Sequence, residues 1–165
     1  MKLAFLIIDM QKAFYKGDVA RSMDLACEYI NYMIPLFRHK TLPIIWIQDT
    51  DPSDGTIPGL EGFDIIDSLK PEKTDLKIIK NYGNAFNKTE LKDMLKDQHI
   101  DTLILSGYCA ENCVLSTYRG ALDYDFSPVI YKGSLASGDQ ENIIFVEKIS
   151  QVISYQPLKK IIEIL

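Results

Sequence analysis

The sequence predicts an α/β domain: a Rossmann-like, three-layer α/β/α arrangement around a mainly parallel, six-stranded sheet. Three observations carry this. Leu3 to Ile8 and Pro43 to Ile47 are apolar runs without a polar break, as in strands covered on both faces. Segments with helical spacing alternate with such runs along the chain. The 165 residues contain no internal repeat and no linker, which predicts one domain over 1–165.

The first strand, Leu3 to Ile8, ends in Asp9-Met10-Gln11. From Val19 to His39, Met23, Ala26, Cys27, Ile30, Ile34 and Phe37 fall at helical spacing, and Pro35 is expected to kink or break that helix. The second strand ends in Gln48-Asp49-Thr50-Asp51, and residues 52–75, rich in Pro, Gly and acids, read as a long loop of functional use. Leu76 to Ile79 is a short strand. Asn87-Lys88-Thr89-Glu90 reads as a capping box before a helix whose stripe is Leu91, Met94 and Leu95. Thr102 to Leu105 is the next strand, followed by Gly107 and a helix from about Asn112 to Leu122. Val129 to Tyr131 and Val152 to Ser154 complete the strands. Between them Asp139 can cap a helix over about 140–150, and Pro157 suits the first turn of a terminal helix.

Composition excludes several functions. A content of 47% hydrophobic and 25% charged residues is that of a folded globular chain, not a disordered one. Eighteen basic against 23 acidic residues, a net charge of −5, gives no basic footprint for nucleic acid. The longest apolar run stops at Asp9, far short of the roughly 18 residues of a membrane span, and no signal-peptide pattern follows it. A cytoplasmic protein with a small-molecule partner is expected. Three cysteines, Cys27, Cys109 and Cys113, form an odd, sparse set that argues against a disulfide framework.

In parallel sheets ligands bind at the carboxyl ends of strands. That directs attention to Asp9, to residues 48–51, to Lys80 and to the segment after Leu105. Asp9 could equally cap a helix, and Lys80 could be a solvated charge. Ser106-Gly107-Tyr108-Cys109-Ala110-Glu111-Asn112-Cys113-Val114 joins a strand to a helix. A thiol in that first turn would sit at the positive end of the helix dipole, which favours thiolate, beside unpaired N–H groups able to hold an oxyanion. As fillers the two cysteines would be inert; as a redox pair they lack the usual two-residue spacing. A zinc site would need more ligands than these cysteines supply, and His39 and His99 are poorly placed for metal binding or for Ser–His catalysis. No Gly-rich phosphate loop is present.

Three segments in order carry a resemblance: Leu6-Ile7-Ile8-Asp9-Met10-Gln11-Lys12-Ala13-Phe14, then Lys80-Asn81-Tyr82-Gly83-Asn84-Ala85-Phe86-Asn87-Lys88-Thr89-Glu90-Leu91, then Gly107 to Val114 with Thr117 and Ala121 behind it. Together they resemble the isochorismatase-like cysteine hydrolases, the family of nicotinamidases and N-carbamoylsarcosine amidohydrolases, over nearly the whole chain. The resemblance implies an isochorismatase-type fold and a catalytic triad of Asp9, Lys80 and Cys113. In it the Asp is general base and acid, the Lys stabilises the thiolate and orients the Asp, and the Cys attacks a carbonyl carbon. It also implies a cis Tyr108–Cys109 peptide, an oxyanion hole from the Cys109 and Cys113 N–H groups, and a homo-oligomer, either a dimer or a tetramer. Substrate is expected between Phe14, Gln11, the 49–62 loop, Tyr82 and Tyr118.

The chain departs from the family pattern at several points. Nicotinamidases bind a metal through an Asp-x-His pair and a further His. Here Asp49-Thr50-Asp51 stands at the pair, and no His occurs in 40–98. No metal and no cofactor are therefore expected, with Asp49 and Asp51 the positions at which one would appear. Ala110-Glu111 replaces the frequent Thr-Asp, Asn84 the usual Ser, and Lys132 or Gly133 an Asp after the fifth strand. Isochorismate-hydrolysing members lack the cysteine, so Cys113 speaks against that reaction. The expected activity is cysteine-dependent hydrolysis of a small amide, carbamoyl or ureido compound. The alternatives are a catalytically silent ligand-binding relative, a metal-assisted nicotinamidase, and a thiol redox protein.

Overall fold

The computed structural model describes residues 1–165. Six strands, β1 (Leu3–Ile8), β2 (Ile44–Asp49), β3 (Leu76–Lys80), β4 (Thr102–Gly107), β5 (Ser127–Leu135) and β6 (Val152–Ile153), form one sheet in the order β3-β2-β1-β4-β5-β6, and every pairing is parallel. Five helices connect them: α1 (Gly17–His39), α2 (Leu91–Asp97), α3 (Leu115–Asp123), α4 (Gln140–Ile149) and α5 (Tyr155–Ile164).

Alternation along β1 builds the three layers. Ala4, Leu6 and Ile8 join one apolar core with Leu91, Leu95, Tyr118, Ala121, Ile143 and Val146 of α2, α3 and α4. Leu3, Phe5 and Ile7 point the other way and join Met23, Ile30, Phe37, Leu158 and Ile162 of α1 and α5. Both faces of the central strand are thus covered, which is why its sequence shows no polar alternation.

Some local expectations change. Pro35 lies inside an unbroken α1. Its missing N–H leaves one carbonyl without its helical donor, but the buried neighbours Met33, Ile34 and Phe37 hold the last turn against the sheet. The expected capping box does not form: α2 starts after Glu90 with no side-chain cap from that residue. Thr89 Oγ1 instead accepts from the Leu91 N–H at 3.3 Å and donates to the Ala85 carbonyl. β5 is longer than its apolar stretch suggests, because Gly133, at φ +85°, lets the strand continue past an irregularity opposite β4. Asp139 does cap α4, its Oδ1 accepting from the Glu141 N–H at 2.9 Å. No helix is long and apolar enough to cross a membrane.

Sheet order reverses between β1 and β4, whose connections leave in opposite directions. The crevice at such a switch point, outside the carboxyl ends of the strands, is where α/β sheets bind ligands. Asp9, Asp49, Lys80 and Cys109 to Cys113 all lie at that edge, at or just beyond the ends of β1, β2, β3 and β4.

Candidate active site

Backbone register assembles the site. β2 and β3 pair Asp49 directly with Lys80. β1 and β4 pair Ile8 with Gly107, and the Tyr108 N–H donates to the Ile8 carbonyl at 2.8 Å. Gly107 has φ +110°, and a Cβ there would lie 2.1 Å from the Ile8 carbonyl oxygen. Only glycine lets β4 run this close to β1 and then turn. Asp9 leaves β1 at φ +50°, a left-handed conformation that aspartate tolerates better than most residues. The Tyr108–Cys109 peptide is cis. A tight turn over Ala110–Val114 follows, closed by the Asn112 and Val114 N–H groups donating to the Cys109 carbonyl, and it delivers Cys113 ahead of α3.

Lys80 is the hub. Its side chain is fully buried, and Nζ lies 2.8 Å from Asp9 Oδ2, 3.1 Å from Asp49 Oδ1 and 3.4 Å from Cys113 Sγ. The ammonium has three protons and meets three acceptors, so its donor capacity is used. Asp49 is fixed in turn. Thr56 Oγ1 donates to its Oδ2 at 3.2 Å, and the buried Gln11 side chain clamps its backbone, accepting from the Asp49 N–H at 2.8 Å and donating to its carbonyl at 3.0 Å. Gln11 also donates to the Phe63 carbonyl at 3.1 Å, and its backbone bridges to Ile65, so the 52–75 segment is tied to the site.

Burial and charge set the protonation states. Burial pushes Asp9 up to about 6, against the pull of the Lys80 charge; it is still mostly ionised at neutral pH. For Lys80 burial works against the charged form, but the negative charges of Asp9, Cys113 and Asp49 outweigh it and hold the ammonium above its ordinary range. Burial, reinforced by the Asp9 charge, pushes the Cys113 thiol up to about 12 although Lys80 pulls the other way. Desolvation thus opposes the preference for thiolate that the helix terminus and Lys80 supply. Cys109 is likewise pushed up to about 12, by burial and the nearby Glu111. What separates the two thiols is Cys113's contact with Lys80. Asp9 Oδ1 is buried without a hydrogen-bond partner, an acceptor available for a proton.

A cavity of about 490 Å³ opens onto this cluster, lined by Asp9, Asp49, Cys109 and Cys113 at its base. Phe14 and Tyr108 form one wall, their ring centroids 5.2 Å apart. Of the residues expected around substrate, Phe14, Tyr82 and, from the 49–62 loop, Asp49, Asp51, Ser53 and Asp54 line the cavity. Gln11 does not; it is wholly buried behind Asp49. Tyr118 is also elsewhere: α3 turns it into the core, where its hydroxyl accepts from the Gln151 N–H at 2.9 Å. The sequence alone does not point to Asp49 as a partner of Lys80, nor to Tyr108 and Lys16 as cavity residues. Only Asp49 carried a signal, since it ends a strand just as Lys80 does.

The chain's residues do not fit a metal centre of the nicotinamidase kind. No group of three or more His, Cys, Asp or Glu side chains is arranged to hold a metal ion. Asp49 spends both carboxylate oxygens on Lys80 and Thr56, and Asp51 Oδ1 accepts from the N–H and hydroxyl of Ser53.

A parallel α/β sheet with a buried Asp–Lys–Cys cluster at its switch point defines the class of protein. The family model for the Isochorismatase domain matches residues 3–143. An uncharacterized isochorismatase family protein of Bacillus subtilis, YrdC, is 34% identical over 129 residues, covering 75% of this chain and 69% of the relative. N-carbamoylsarcosine amidase of Arthrobacter is 38% identical over 66 residues, 40% of this chain and 25% of that enzyme. The solved structure of an isochorismatase-like hydrolase from Alkaliphilus metalliredigens superposes with a TM-score of 0.87 at 23% identity, covering 96% of this chain and 95% of the other, and shares the fold. The chain belongs to the isochorismatase family of hydrolases.

Proposed function

We propose that the protein hydrolyses a C–N bond of a small amide, carbamoyl or ureido compound through an acyl-enzyme on Cys113. The observation that carries this is the fully buried Lys80 ammonium, held at once by Asp9, Asp49 and Cys113. The partial similarity to N-carbamoylsarcosine amidase supports the C–N bond class.

The chemistry follows from the protonation states. Asp9 takes the Cys113 proton as Sγ adds to the substrate carbonyl carbon, so no free thiolate need accumulate. The carbonyl π pair moves onto oxygen, and the oxyanion is taken by the N–H groups of Cys109 and Cys113 in the turn that opens α3. The C–N bond breaks as Asp9 gives its proton to the leaving nitrogen. Water then attacks the thioester, losing a proton to Asp9, and Asp9 returns that proton to Sγ as the acid departs. Lys80 stays protonated throughout, holding Asp9 in place and lowering the energy of negative charge on sulfur. A homo-oligomeric state, read by light scattering, and a cytoplasmic location accompany this reading.

The test is ammonia release from a panel of small amides and ureides, with mass spectrometry of the acyl adduct. Cys113→Ala is expected to abolish release. Cys109→Ser, which keeps the backbone N–H, is expected to retain it within about tenfold. Undiminished release by Cys113→Ala would overturn the mechanism.

A further inference from the structure

The cavity's charges narrow the substrate. Four carboxylates, Asp9, Asp49, Asp51 and Asp54, line it, against Lys16 alone at the rim and Lys80 beneath. Lys80 is committed to Asp9 and Asp49 and has no proton left for a ligand. That leaves Asp51 and Asp54 at the mouth facing one exposed lysine. Hydrogen bonds from Ser53 hold Asp51 below the usual carboxylate range, so it is ionised whenever the protein is at neutral pH. The wall of Phe14 and Tyr108 works in the same direction, because aromatic side chains beside a site attract cations more than anions.

We infer that the site selects amides whose non-reacting end is cationic or uncharged and discriminates against those bearing a carboxylate there. This rests on the proposed hydrolase reading for the word amide, but the selection is a property of the cavity itself. A carboxylate entering the mouth would meet like charge and find no free cation beside Cys113. A cation would find two carboxylates and an aromatic wall. The rate order expected is therefore cation, then neutral, then anion, with cation and anion at least about tenfold apart at low salt.

Two measurements separate the selection from the hydrolysis. In the first, Cys113 is modified with methanethiosulfonates carrying a trimethylammonium-ethyl or a sulfonatoethyl group. The thiol loses its proton, a mixed disulfide forms and methanesulfinate leaves. Rates at Cys113 are resolved from Cys27 and Cys109 by peptide mass spectrometry and divided by those of the urea-unfolded chain. The cation-to-anion ratio is expected to exceed the unfolded value about tenfold, to fall in Asp54→Asn and in Asp51→Asn, to rise in Lys16→Gln, and to shrink in 0.5 M salt as exposed charges are screened. A ratio within twofold of the unfolded chain, or one favouring the anion, overturns the inference. In the second, ammonia release is compared for matched amides ending in an ammonium, a methyl or a carboxylate group. Faster turnover of the carboxylate compound also overturns it. Failure of all three amides with the labelling ratio intact would sink the hydrolase reading and leave the charge selection standing.

Discussion

Asp49 and Lys80 are direct cross-strand partners in the register of β2 and β3, and their side chains meet at 3.1 Å. Lys80, at the end of the edge strand β3, thus carries two carboxylates, one from the end of its neighbour β2 and one from the end of β1 beyond it. Asp49 raises the proton affinity of Asp9 through space while sharing its ammonium. The pH at which the site works is therefore set by three strand ends rather than by Asp9 alone.

The activity profile should show it. Asp9 must be ionised to accept the Cys113 proton, and burial places its titration at about 6. With a neutral amide, kcat/KM is expected to fall about tenfold per pH unit below that value and to level off above it. In Asp49→Asn a like charge is removed, so Asp9 ionises more easily and the acid limb moves to lower pH. An acid limb unmoved in Asp49→Asn would refute the coupling.

Cys113 alkylation gives a second, independent profile. With its thiol pushed up to about 12, the thiolate fraction grows about tenfold per pH unit through the accessible range. The iodoacetamide rate at Cys113 is expected to keep rising to pH 9 without a plateau. A plateau near neutral pH would mean a resting thiolate stabilised by Lys80.

Lys80→Met should be strongly destabilising. It leaves Asp9, 1% exposed, as a buried carboxylate without its cation. Breaking such a pair costs about 3–5 kcal/mol, read as a drop in the urea midpoint. The deficit is expected to be largest above pH 6, where Asp9 is ionised, and to shrink at pH 5, where it takes up a proton. A pH-independent deficit would assign the loss to packing alone.

Gly107→Ala tests the close approach of β4 to β1 at the Ile8–Gly107 pair, just ahead of Asp9 and Cys109. Its Cβ would meet the Ile8 carbonyl oxygen at 2.1 Å and nitrogen at 2.7 Å, both backbone atoms, at a φ of +110°. Neither neighbour is a flexible side chain, so β1 and β4 must separate. A loss of more than about 3 kcal/mol is expected by urea denaturation, with most of the protein insoluble on expression. Near-native stability would mean the close approach can relax.

Legibility followed locality. The sequence points to Asp9, Lys80 and the Cys113 segment because each lies at or beyond the end of a strand, and strand ends converge at one edge of a parallel sheet. Gln11 sat in a recognisable segment, yet its task is to clamp Asp49, which lies 38 residues away. Tyr118 was misplaced because one helix offers two faces and only packing decides which meets the sheet. Pro35 reads as a kink or break in a helix that, with Phe37 buried, continues unbroken to His39.

By itself the sequence determined the α/β alternation and the parallel sheet, since unbroken apolar runs are properties of short segments, while the grouping of Asp9, Lys80 and Cys113 came from the resemblance of three segments to a family. Tertiary structure alone decided that burial pushes the Cys113 thiol up, that Lys80 answers to two carboxylates, and that the cavity is net acidic. Those depend on desolvation and on charges brought within a few ångströms from four separate strands, and neither burial nor distance between remote residues is written in any one segment.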